Sequence, residues 1–130
     1  AEGALRLATE YSKLRETMGK PIADHQAIQL YLGEMVTRAR AARLLTFDAA
    51  EAYDRGARCD MEAGMAKYFA SEAAVKNAET ALRIHGGYGY SKEYEIERYY
   101  RDAILMCIGE GTNEMQRMII AKQWLKRGAS

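Results

Sequence analysis

The run Ile108-Gly109-Glu110-Gly111-Thr112-Asn113-Glu114-Met115-Gln116-Arg117 sets one carboxylate between two glycines, just ahead of an amphipathic segment. Glycine frees the backbone and lets a ligand come close to the main chain. Thr112 or Asn113 is suited to cap the helix that follows, with its first N–H groups left facing an anion. A carboxylate held at Glu110 is a candidate general base. The plain alternative is an ordinary loop that ends in a helix cap. A second glycine run lies upstream, Ile84-His85-Gly86-Gly87-Tyr88-Gly89-Tyr90, and Arg101-Asp102 follows it. Arg101 and Asp102 read as a structural ion pair that positions the last helices.

Helices must position these residues. The only proline is Pro21, and the glycines gather at breaks in the apolar pattern. The spacing predicts helices over about 2–17, 26–53, 61–85, 95–106 and 113–125. Met18-Gly19-Lys20-Pro21 stops the first, since Gly can end a helix and Pro cannot continue one. Asp24 and Asp60 are candidate N-caps; Gly56 and Gly86-Gly87 are candidate stops. In the second helix Ile28, Leu32, Met35, Ala39, Ala42 and Leu45 keep three- and four-residue spacing. In the third, Met61, Met65, Phe69 and Ala73 share one face, and Lys76, Glu79 and Arg83 another. Residues 86–91 read as a loop. Met115, Met118, Ile119 and Trp124 form the apolar side of the last helix. With no strand alternation and no repeat, the fold class is all-α: an antiparallel, up-and-down four-helix-type bundle with an additional short helix.

The chain has 130 residues, 48% of them apolar, and a formal net charge of +1, which suits one domain with a sizeable core. That balance argues against a nucleic-acid binder defined by charge. Arg38, Arg40 and Arg43 are flanked by acids and read as a solvated or interface face. Cys59 and Cys107 have no metal-ligand spacing and read as free thiols. His25 and His85 lie outside any Glu-x-x-His pattern, so no metal site is expected. No apolar run is long enough to span a membrane.

Taken together, these motifs resemble the C-terminal helical domain of the acyl-CoA dehydrogenase family. The resemblance is carried by Tyr-Ser-Lys-Leu-Arg-Glu-Thr-Met-Gly-Lys-Pro-Ile from Tyr11 to Ile22, then Gln26-Ala27-Ile28-Gln29, Ala66-Lys67 and Ser71-Glu72-Ala73-Ala74. The glycine run, Arg101-Asp102-Ala103 and Glu110-Gly111-Thr112 complete it. It implies that residues 1–130 are one domain of a longer protein whose upstream helical and β domains are absent here. The isolated chain is then expected to be folded but inactive. The implied reaction turns a saturated acyl-CoA into a trans-2-enoyl-CoA. Glu110 takes the α-hydrogen as a proton, and the β-hydrogen leaves as hydride to the flavin of FAD. Burial against flavin and acyl chain is expected to raise the carboxyl pKa and strengthen the base.

The resemblance also places cofactor contacts. Arg15 is expected to reach the pyrophosphate of an FAD held by a neighbouring subunit, a task suited to a planar guanidinium; its alternative is an ion pair with Glu16 or Glu10. Met18 stands where relatives have Phe near the flavin nucleotide, and Gln26 matches a glutamine near the adenosine. Arg83, Ile84, His85, Gly86 and Gly87 match the stretch along adenosine and pyrophosphate, with Arg83 replacing a glutamine and free to pair with Glu79. Thr112 and Glu114 correspond to positions near FAD; Gly109 and Gly111 correspond to substrate contacts. Many relatives have Tyr at the position of Gly109, so tolerance of a branched or cyclic acyl group is expected; the alternative is that another residue fills the gap. Further implications are a homo-oligomer built as a dimer of dimers, electron-transfer flavoprotein as electron acceptor, and residence in the bacterial cytoplasm or the mitochondrial matrix. The competing readings are a noncatalytic oligomerisation module and an acyl-CoA oxidase.

Overall fold

A computed structural model describes residues 1–127; the last three residues of the expected 1–130 domain lie outside the described residues. The helices are α1 (Glu2–Leu14), α2 (Gln26–Asp54), α3 (Asp60–His85), α4 (Gly87–Tyr90), α5 (Ile96–Ile108) and α6 (Asn113–Arg127). α3 is central and packs on α1, α2, α5 and α6. The helices meet largely over alanine: Ala4, Ala8, Ala39, Ala42, Ala78 and Ala81 are buried. Alanine has no rotamer freedom to lose on burial, and it lets helix axes come close. At the α3–α6 crossing the small residue is Gly64, where a Cβ would stand 3.2 Å from Ile120 Cγ1. Met35 and Ile96 are the largest apolar side chains fully enclosed.

The expected apolar stripe of α2 is inside: Met35, Ala39 and Ala42 are buried, and Ile28 and Leu32 pack against the core. Asn77 is fully buried, and its amide ties α3 to α2, donating to the Met35 carbonyl at 3.0 Å and accepting from Arg38 at 3.3 Å. No buried side-chain polar atom among the described residues lacks a partner. Leaving one unpaired would cost about 1–3 kcal/mol. Lys76, Glu79 and Arg83 share a surface stripe of ion pairs, as their spacing predicts. No helix among the described residues is long and apolar enough to cross a membrane.

Several local expectations are corrected. The first helix ends at Leu14, not 17, because Arg15 is extended. Glu16–Thr17 (β1) pairs antiparallel with Lys20–Pro21 (β2) around Met18-Gly19, both with positive φ. Two left-handed residues in a two-residue turn match the twist of a hairpin. Asp24 closes a 3₁₀ turn, Ile22–Asp24, and His25 takes the cap position of α2. Asp60 lies inside α3, and its carboxylate accepts from Arg58 at 2.6 Å and Gln123 at 3.4 Å instead of capping. Within 86–91, residues Gly87–Tyr90 coil into one helical turn. Arg101 pairs with Glu97 at 2.9 Å, one turn back on α5, and not with Asp102. Of the expected apolar side of α6, Ile119 is half-buried but Met115, Met118 and Trp124 are exposed, because α6 docks on α3 through Asn113, Ile120 and Gln123.

His85 is 5% exposed, stacks on Tyr11 at 4.2 Å between ring centroids, and meets the Ala81 carbonyl through Nδ1 at 2.7 Å. Burial lowers its pKa from the usual 6.5. Below that value the unfolded chain binds a proton that the folded chain resists, so stability falls as pH drops from about 6.5 toward the lower folded value. Melting curves between pH 8 and 5 should show this loss, and His85→Phe should flatten it. An identical slope in the variant would assign the loss to other groups.

Candidate functional site

The chain passes from α5 to α6 through residues 109–112, and Glu110 stands in that turn with φ +55°, followed by Gly111 at +85°. Left-handed backbone costs a residue that carries a Cβ about 1–2 kcal/mol. Such a conformation persists only where its surroundings enforce it. One enforcing contact is Gln116, whose Nε2 donates to the Glu110 carbonyl at 3.3 Å and lies 3.5 Å from the Gly111 carbonyl. Gly111 is doubly fixed: its φ favours glycine, and a Cβ would sit 2.9 Å from that same Nε2. Gly109 is different. It has φ −66° and ψ 154°, and a Cβ there would meet only the Leu105 carbonyl, at 3.4 Å.

The Glu110 carboxylate has no hydrogen-bond or ion-pair partner among the described residues. It is exposed at the edge of a cavity of about 550 Å³ shared with Gly64, Lys67, Gln116 and Lys122. Residues 1–127 therefore do not supply the burial expected around a base. Thr112 caps α6, its Oγ1 accepting from the Met115 N–H at 3.3 Å. Glu114 is exposed and paired with Arg117 at 3.1 Å. Its own backbone N–H and the Thr112 hydroxyl hold its carboxyl below the usual carboxylate range.

Asn113 does not cap. It is 2% exposed and forms a hub against α3. Lys67 Nζ donates to Asn113 Oδ1 at 2.8 Å and to the Cys107 carbonyl at 3.3 Å. Ser71 Oγ donates to the same Oδ1 at 3.0 Å, and Asn113 Nδ2 donates to Glu72 at 2.8 Å. The sequence reading marked Lys67, Ser71 and Glu72 as motif residues but gave them no task. The available signal was their i, i+4, i+5 spacing on one helix.

The second group assembles at the other end of α3. Arg15, Ile84, His85, Gly86 and Gly87 line one groove of about 430 Å³, with Tyr11, Thr17 and Tyr88. The Arg15 guanidinium lies 5.9 Å from the Tyr88 ring centroid and has no carboxylate partner among the described residues, so the expected alternative with Glu10 or Glu16 is not formed. Glu10 pairs with Arg6 instead. Gly86 leaves α3 with φ +61°, and a Cβ at Gly86 or Gly87 would meet nothing within 4 Å. A free cation, open backbone and aromatic wall suit a phosphate-bearing nucleotide. His85 contributes a buried floor rather than an exposed donor. Arg83 points away and pairs with Glu79 at 2.9 Å. Met18, 94% exposed at the hairpin tip, and Gln26, exposed at the start of α2, do not line the groove. From Lys67 to His85 the axis of α3 runs roughly 27 Å, so the two groups stand far apart along it.

Residues 1–125 match the family model described as acyl-CoA dehydrogenase, C-terminal domain. The chain belongs to the acyl-CoA dehydrogenase family. It is 54% identical to an acyl-CoA dehydrogenase of Bacillus subtilis, over 96% of this chain and 33% of that protein. It is 46% identical to the caffeyl-CoA reductase–Etf complex subunit CarC of Acetobacterium woodii, over 98% of this chain and 34% of that protein. The structure of butyryl-CoA dehydrogenase from Megasphaera elsdenii superposes with a TM-score of 0.94 at 42% identity, over 95% of this chain and 32% of that one. The chain spans about a third of the length of the curated relatives it matches. As an acyl-CoA dehydrogenase C-terminal domain, it has the helical fold that the motifs implied.

Proposed function

We propose that this chain is the part of a flavin-dependent acyl-CoA dehydrogenase that carries the catalytic base. Glu110 takes the α-proton of an acyl-CoA thioester, and the product is a trans-2-enoyl-CoA. One observation carries the proposal: a carboxylate with no partner among the described residues is held on strained backbone between two glycines. Strain of that kind at an exposed glutamate has no packing purpose here, and it clusters at functional sites. FAD, when bound, accepts the hydride from the β-carbon. Arg15, Gly86 and Gly87 fit its phosphates. Their distance from Glu110 along α3 favours an FAD held by a neighbouring subunit of a homo-oligomer, arranged as a dimer of dimers. Similarity to a subunit named for a reductase–Etf complex supports electron-transfer flavoprotein as redox partner, and supports the reverse direction, in which the Glu110 carboxyl returns a proton to the α-carbon. The compartment is the cytoplasm of a bacterium or the mitochondrial matrix.

The test is made on the full-length protein under anaerobic conditions, following the flavin spectrum through a panel of saturated acyl-CoAs. Bleaching by one class supports the proposal and names the substrate. A flavin that no acyl-CoA reduces overturns it. Admitting air after reduction separates a dehydrogenase from an oxidase. The isolated chain should fold and show no turnover.

Gly109 bears on substrate choice. The space beside it is open and its backbone suits any L-residue. Gly109→Tyr should fold normally and shift preference from branched or cyclic acyl groups toward straight ones by about tenfold, the scale on which a pocket discriminates small apolar groups. Unchanged kcat/KM ratios would show that Gly109 does not shape the acyl site.

A further inference from the structure

The loop carrying Glu110 is bracketed by one ammonium group. Lys67 Nζ reaches the Cys107 carbonyl in the last turn of α5 and the Asn113 side chain at the start of α6. Everything between those two contacts is the turn that contains Gly109, Glu110 and Gly111. The last carbonyls of a helix have no intrahelical partner, and a cation is favoured beside them. The buried amide has partners besides the lysine: Glu72 accepts from Nδ2, and Ser71 Oγ lies 3.0 Å from Asn113 Oδ1, with the Tyr68 carbonyl at the same distance competing for its one proton. What Lys67 adds is a fixed span between the two helix ends. Glu110 and Gly111 are consecutive left-handed residues, and shortening or lengthening that span would change how they turn. Gln116 grips the same turn from its carbonyl side. Lys67 and Glu110 also border one cavity.

We propose that Lys67 is a positioning residue: by tying Cys107 to Asn113 it sets the Glu110 carboxylate for proton transfer. The proposal rests on the assignment of Glu110 as the base. A base displaced by about 1 Å loses on the order of 100-fold in rate without any change in its chemistry.

The test uses the full-length, FAD-loaded protein. Lys67→Met keeps the apolar stem and removes the bridge; Lys67→Arg restores a cation with several donors. Stopped-flow flavin reduction at saturating acyl-CoA should slow by about tenfold or more in Lys67→Met. Flavin content, melting temperature and KM should stay close to wild type, the pattern of an interaction realised only in the transition state. Lys67→Arg should recover most of the rate. Hydrogen–deuterium exchange over residues 108–116 should rise in Lys67→Met and return toward normal in Lys67→Arg. Wild-type rates in Lys67→Met would overturn the proposal. So would a parallel fall in rate and melting temperature with no rescue by arginine, which describes a merely structural lysine. If no acyl-CoA reduces the wild-type flavin, the base assignment fails and the catalytic role of Lys67 falls with it. The exchange data still report separately whether Lys67 holds the turn.

Discussion

Glu110→Gln in the full-length protein is expected to keep its flavin and its melting temperature and to lose flavin reduction by acyl-CoA. The loss should approach 10⁴-fold, about the upper end of what a positioned acid or base contributes. The reason for expecting so clean a separation lies in the structure. The carboxylate makes no hydrogen bond and no ion pair among the described residues, while the backbone of the same residue is gripped by Gln116. Glutamine keeps the size and the backbone demand and removes only the ability to accept the proton. Rapid-mixing spectra of both proteins with the best substrate of the panel decide the matter. If the variant bleaches at the wild-type rate, the base lies elsewhere. If it melts markedly earlier, the side chain has a structural partner in the longer protein.

Gly89→Ala should be the most damaging glycine-to-alanine change among the described residues. Gly89 is buried in α4, where that turn lies on the end of α3. A Cβ there would stand 2.5 Å from the Leu82 carbonyl oxygen, 3.1 Å from Leu82 Cγ and 3.2 Å from His85 Cβ. The first of these is helix backbone and cannot rotate away. α4 would have to lift, taking with it Tyr88, which packs on Tyr94 and faces Arg15. Overpacking of this kind costs about 3 kcal/mol. It would also open the groove proposed for FAD, so weak flavin retention should accompany the lower melting temperature. Gly87→Ala is the control, since a Cβ at Gly87 meets nothing within 4 Å. Equal melting of the two variants would mean that α4 is not seated as described.

The parts of the fold that sequence made legible are those punctuated by glycine. α2 and α3 begin and end within a residue or so of expectation because Gly56 and Gly86 stop them in left-handed geometry. The end of α1 was overshot because Arg15, Glu16 and Thr17 are ordinary helix residues. Only the pairing of Thr17 with Lys20 reveals the hairpin, and Met18 is an unusual occupant of a left-handed turn. α6 was misread in part: Ile119 is half-buried as expected, but Met115, Met118 and Trp124 are exposed. Its most deeply buried residues, Asn113 and Gln123, are polar and earn burial by bonding to α3, which no hydrophobic count detects. The same holds for the candidate site. Glu110 and the glycines beside it announce themselves locally, and so do Arg15 and Gly86-Gly87. Lys67 does not, because its partners lie 40 and 46 residues away in sequence and meet it only once α5 and α6 have packed. Arg83 was found by its helical spacing from Glu79, but spacing alone could not say that the pair turns away from the groove.

With Glu110 as the proposed base, the left-handed glutamate also sets stability and turnover against each other at a single codon. Glycine fits that backbone better than any residue with a Cβ, and the carboxylate has no partner among the described residues. A screen that rewards only heat resistance would favour Glu110→Gly and enrich soluble, well-folded, inactive protein. A screen that rewards turnover would restore the acid each time. Libraries built on this domain therefore need the catalytic assay from the first round.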